Sequence, residues 1–324
     1  MSSSQSDVEN PVKRWVLLTG SRTGFAIGLT VCIVVLSAVL SITGIVYVKA
    51  GSNLATALAS GLLSGLLTLI TVTLSINQLI LSRVFGSPSN LTDTVEGSIE
   101  FQESVERIAD VPISPNDPDE FLALIGRTLI DHAEQLHTHI KANSAFSDDF
   151  EQFTKRIITY GDHLANAEDT NDPFEVLVLT LGTGYAQNLT ETRRLQAVAN
   201  DLSDDADETL DDILTLLKGV ATMRQFFKTL TIQQDLARLS RQLIYTGVAA
   251  VLITYYLSHV YTSASSMPTA IPEVYMPLVT SVAAGVIFLP LMVIISYLLR
   301  VATVTFYTVS VGSFVPPIAR IKEQ

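Results

Sequence analysis

The chain has 324 residues, a mean hydropathy of +0.38 and a formal charge of -12. Such average apolarity argues against an ordinary water-soluble protein, and such a charge argues against binding to a nucleic-acid backbone. The one cysteine, Cys32, excludes an intrachain disulfide, a thiolate metal cluster and a CxxC redox pair.

Apolarity and charge occupy different stretches. Residues 91–230 hold 27 acidic against 10 basic residues, a net of -17, and the rest of the chain holds 5 against 10. Lysine supplies only 7 of the 20 basic residues. A carboxylate-rich, lysine-poor surface suits a halophile, where concentrated salt screens the mutual repulsion of the acids.

In chain order, residues 1–24 are a polar segment that becomes interfacial, with Lys13, Arg14, Trp15 and Arg22 suited to headgroup depth. Phe25 to Val48 is a nearly unbroken apolar run without a small-residue cleavage site, so it reads as a retained membrane anchor. Lys49 to Asn53 makes a short turn. Leu54 to Ser82 is a second span, and the two form a hairpin within residues 25–90.

That second span carries an ordered stripe. Ser64, Thr68, Thr71, Ser75, Gln78 and Ser82 are spaced by four and three, which puts them on one side of a helix. Leu62, Leu63, Leu66, Leu69, Ile70, Leu74, Ile76 and Leu81 form an apolar side suited to lipid. The polar side calls for another helix, a second subunit or pore water, and Gly61 and Gly65 permit close helix packing.

Residues 91–240 read as an acidic cytoplasmic helical domain. Gly86 to Asn90 is expected to break the preceding helix, and Thr94 to Ala109 to bury Val95, Ile99, Val105 and Ile108. Asp117, Pro118 and Glu120 make a cap, first-turn proline and capping box for a helix buried through Phe121, Leu124, Ile125, Leu129, Leu136 and Ile140. Ser147 caps a helix buried through Phe150, Phe153, Ile157 and Leu164. Asp172, Pro173 and Glu175 repeat the capping arrangement ahead of one helix through Leu177, Leu181, Leu189 and Leu195. Asp204 to Lys228 is a further helix. Thr231 or Gln234 is placed to cap the next, which enters the apolar stretch Leu243 to Tyr261 without a flexible joint.

Residues 241–299 form the second transmembrane pair. The fourth span is Tyr275 to Leu299, kinked at Pro290. Residues 300–324 form a tail in which Val301 to Phe314 is too short to cross again, so it extends the fourth helix or lies on the membrane. The fold class is therefore all-α: a polytopic integral membrane protein with four transmembrane helices and an inserted cytoplasmic helical bundle. Nine basic residues fall on one side of such a chain and only Lys49 on the other, which places both termini and the acidic domain in the cytoplasm of a cell-membrane protein.

The chemistry-bearing residues point away from an enzyme. Glu134 and His137 give a single ExxH pair where a carboxylate-bridged bundle needs two, and His132, His139 and His163 add no ligand pattern. Gly182 and Gly184 lack a nucleotide fingerprint. Asp204, Glu208, Asp211 and Asp212 lack the glycine of a calcium loop and offer a weak cation surface at most. No cofactor and no metal are expected, and the expected partners are membrane lipids, further copies of the chain and inorganic cations. The stripe and the acidic block point to a homo-oligomeric ion channel or pore for cations. The rival reading is a membrane-anchored sensor, scaffold or interaction protein without transport.

Overall fold

A computed structural model describes residues 15, 20–48, 56–84, 88–141, 147–169, 172–180, 184–198, 203–260 and 272–307. The helices, in chain order, are α1 (Arg22–Ile42), α2 (Leu63–Val84, entered through a π-wound turn Ala57–Leu62), α3 (Pro88–Ala109), α4 (Pro118–Lys141), α5 (Ser147–Ala165), α6 (Pro173–Leu179), α7 (Gly184–Val198), α8 (Asp204–Val260) and α9 (Met276–Tyr307). No strand occurs among the described residues. The helices sort into two compact units, one within Asn10–Phe85 and Gln233–Thr303, the other centred on Gly86–Ile232.

The first unit contains α1, α2, the last part of α8 and most of α9. Among the described residues, four helices, α1, α2, α8 and α9, are long and apolar enough to cross a membrane. Ala26, Leu239, Leu243, Val293 and Tyr297 form one buried cluster, with Leu58, Leu66, Ala250, Ala283 and Ile287 forming another. Glycine lets the helix backbones approach: a methyl on Gly285 would lie 2.4 Å from Val34 Cγ2, and one on Gly247 3.2 Å from Ile70 Cγ1. Ser21 caps α1 by accepting from the Gly24 amide at 3.2 Å. The helix ends at Ile42 instead of running to Val48, because Gly44 turns into the left-handed region at φ 75°. Pro290 lies inside α9, which continues past Arg300 to Tyr307. Residues 308–314 lie outside the described part.

The second unit is built from α3 to α7 and the first part of α8. Phe121, Ile125, Leu129, Leu136, Phe150, Phe153, Ile157 and Leu164 are buried as their helical spacing requires. Helices α4 and α5 cross with Gly126 against Gly161, where a methyl on either would come within 2.7 Å of the other's carbonyl oxygen. Phe101 packs edge-on against Phe121 at 5.4 Å and lies over Gly219.

Several expected boundaries move. α3 starts at Pro88, which serves as a first-turn proline. Its inward face is only partly as expected: Val105 is fully buried, while Val95 and Ile99 are about half exposed. Asp172 accepts from the Phe174 amide at 3.0 Å and Pro173 opens α6, but the helix stops at Leu179 and α7 begins afresh at Gly184. Neither Thr231 nor Gln234 caps anything, because α8 runs unbroken for 57 residues through both. The stretch 220–243 has neither glycine nor proline, so the expected break has nothing to produce it.

Candidate functional site

Helix α2 has two opposed sides. Leu58, Leu66 and Thr73 are buried, with Leu62, Leu69 and Ile70 packed inward beside them. Ser64, Thr68, Thr71, Ser75 and Gln78 are all exposed, roughly half a turn around the helix from that buried side. The bundle therefore holds the helix by its leucines and presents the polar stripe outward. This corrects the assignment of Leu62, Leu66, Leu69 and Ile70 to lipid; Leu74 does face outward, 51% exposed. The side chain of Ser82 lies outside the described residues.

Three stripe hydroxyls bond to their own helix. Thr68 Oγ1 donates to the Ser64 carbonyl at 2.9 Å, Thr71 Oγ1 to Leu67 at 2.9 Å and Ser75 Oγ to Thr71 at 3.1 Å. Such back-bonding makes a hydroxyl tolerable in an apolar medium and leaves its oxygen lone pairs available as acceptors. Among the described residues outside the helix's own backbone, nothing lies within 4 Å of a methyl built on Gly61 or Gly65.

A second polar group lies within the same unit, and the sequence reading missed it. Arg22 opens α1, Asp235 belongs to α8 and Arg300 to α9; they are 4%, 3% and 7% exposed. Arg300 Nε lies 3.4 Å from Asp235 Oδ2 and Arg300 Nη1 3.4 Å from Oδ1, the two-pronged guanidinium–carboxylate arrangement. Arg22 is within electrostatic reach of both, and its Nε donates to the Gly20 carbonyl at 3.1 Å. Around them, Ser296 Oγ donates to the Arg22 carbonyl at 2.7 Å and Gln242 Nε2 to Thr23 Oγ1 at 2.8 Å. One signal existed in the sequence: Asp235 is the sole acidic residue between Asp212 and Glu273.

Among the described residues the acidic block holds no comparable site. Asp204 and Glu208 are exposed, the Asp211 carboxylate accepts from Gln196 Nε2 at 2.7 Å, and Asp212 lies 3.4 Å from His132 Nε2. The expected cation surface is thus partly committed to partners within its own unit. His132 is buried and also bonds the Thr128 carbonyl at 3.0 Å, whereas His139 and His163 are exposed. Among the described residues no three histidine, cysteine, aspartate or glutamate side chains group as a metal site.

Two further polar features stabilise that unit. Both the amide and the hydroxyl of Ser114 donate to Glu106 Oε1 at 2.8 Å, fastening the α3–α4 connection and holding the Glu106 carboxyl below its usual range. Tyr160 and Tyr185 flank the buried Arg224; burial pushes both phenols up, with the guanidinium opposing. The Tyr160 hydroxyl is buried with no hydrogen-bond partner among the described residues.

In comparison with known proteins, residues 2–322 match a family of unknown function, DUF7972. No curated protein and no solved structure matches the chain.

Proposed function

The chain belongs to that family, and with no activity to inherit from it, we propose from its own residues that the protein is a homo-oligomeric ion channel for cations. The observation that carries this reading is the outward stripe. In a single copy Ser64, Thr68, Thr71, Ser75 and Gln78 are exposed, and a ring of copies turning α2 toward a common axis would surround a path with their hydroxyl and amide oxygens. Those groups replace part of a cation's hydration shell, and the stripe contains no cationic side chain to repel it. The net -17 over residues 91–230 raises the local cation concentration when that segment lies in the cytoplasm beside the pore. Both termini share that side in this reading, following the distribution of basic residues. Reporters fused after Asn143 and Gln324 then read as cytoplasmic, and labels at Ser52 and Ser265 are reachable from outside.

One observation favours the rival, a membrane-anchored sensor or scaffold whose stripe packs against another helix. Thr68, Thr71 and Ser75 satisfy their hydroxyl protons on their own helix, so they do not require water. Cysteine substitution separates the two. With Cys32 replaced by serine, cysteines at Thr68, Thr71, Ser75 and Gln78 in a channel react with small charged thiol reagents, and one at the outward but lipid-directed Leu74 does not. Protection of all four stripe positions in a folded oligomer rules for packing and against the pore.

A further inference from the structure

An ionisable group inside an apolar helix bundle is costly, and a triad of them calls for a reason. Residues 10–85 and 233–303 contain eight basic residues and two acidic ones, Asp235 and Glu273. Asp235 is buried, and among the described residues the cations Arg22 and Arg300 are buried with it. Each of the three charges belongs to a different helix, α1, α8 or α9. We infer that Asp235 is an electrostatic latch, holding the starting end of α1 and the Arg300 turn of α9 against α8 in a contact that can be released.

Three features make this a latch instead of a permanent rivet. Arg300 Nε to Asp235 Oδ2 and Arg300 Nη1 to Oδ1 each measure 3.4 Å, longer than the roughly 2.7–2.9 Å of a tight charge-assisted hydrogen bond. A buried ion pair also gains little net stability over apolar side chains of the same volume, because desolvation offsets the attraction. Apolar residues would weld the helices more firmly, and the best-attested role of such pairs is to set a register or a switch. Finally, the surrounding network is only partly satisfied. Gln242 donates to Thr23, yet its own Oε1 is buried without a hydrogen-bond partner among the described residues. A buried acceptor left without a donor costs its desolvation penalty while the contact is closed, and opening to water relieves that cost. The cluster formed by Ala26, Leu239, Leu243, Val293 and Tyr297 lies among these residues, so separation at the latch uncovers Ala26.

The test uses the full chain with Cys32→Ser and a reporter cysteine, Ala26→Cys in one version and Ala250→Cys in another. Both alanines are buried, at 1% and 0% exposure, but in different clusters. The expected result is that Asp235→Asn speeds thiol modification at position 26 by about tenfold or more, the signature of local opening, and leaves position 250 protected. The exchanged pair Asp235→Arg with Arg300→Asp restores protection at 26. Should Asp235→Asn fail to give a monodisperse protein, Arg300→Lys keeps the charge but loses the fork and gives intermediate labelling. Unchanged labelling at 26 overturns the latch. Equal exposure of 26 and 250 also overturns it, since Asp235 then supports the whole bundle instead of one end. None of these readouts depends on ion conduction, so failure of the latch and failure of the channel reading are observed separately.

Discussion

Gly126 and Gly161 are the residues on which the α4–α5 crossing depends. A methyl at position 126 meets the Gly161 carbonyl oxygen at 2.7 Å, and one at 161 meets the Gly126 oxygen at 2.6 Å, so backbone must shift to admit either. Gly161→Ala is expected to cost about 3 kcal/mol, the upper part of the overpacking range; denaturant unfolding of the full chain measures it, and a change below the scatter of surface substitutions contradicts the crossing. Glu106 gives a pH signature. Its carboxyl titrates lower when folded than when unfolded, so the clamp on Ser114 contributes above the ordinary carboxylate range and is lost as pH falls through the lowered value. Glu106→Gln should flatten that part of the stability profile, which a pH series of melts detects. At this scale the sequence was partly legible. Burial followed spacing at Phe150, Phe153 and Ile157, but the pairing of His132 with Asp212 joins α4 to α8, and no local pattern encodes a contact between residues eighty positions apart.

At the scale of elements, capping and periodicity identified most helices, since those signals depend on neighbours within one turn. Asp172 with Pro173 is the clearest case. Errors arose where an element's fate depends on its surroundings. Thr231 has the chemistry of a cap, yet it is buried in mid-helix. The leucines of α2 are equally suited to lipid and to protein, and only the packed bundle decides that Leu66 and Ile70 turn inward. The stripe itself was legible as a face, but its outward direction was not. That direction makes two kinds of glycine distinguishable. Gly285→Val should destabilise the single-chain bundle through its clash with Val34, whereas Gly61→Val and Gly65→Val should leave that bundle intact and weaken assembly of copies. Thermal melts together with the oligomeric mass in detergent test the contrast; identical behaviour of the two kinds would remove the support for α2 as the subunit contact.

For the whole molecule, the segregation of charge from apolarity is the dominant property, and composition alone exposed it. Apolar helices are built into one unit and 27 carboxylate residues lie between 91 and 230. Self-repulsion of those carboxylates predicts that the full chain melts higher in molar potassium chloride than in dilute buffer. No change across that range would count against the salt-adapted reading. The latch was illegible in composition because Arg22, Asp235 and Arg300 are widely separated and meet only in the folded bundle. The central claim, that the outward stripe of α2 lines a cation path in an assembly of copies, is tested most directly by current through the purified protein in a planar bilayer with a potassium chloride gradient. The account predicts unitary currents whose reversal potential lies toward that of the cation and whose size changes with Gln78→Ala. A folded, oligomeric protein that carries no current, or current selective for chloride, would contradict it.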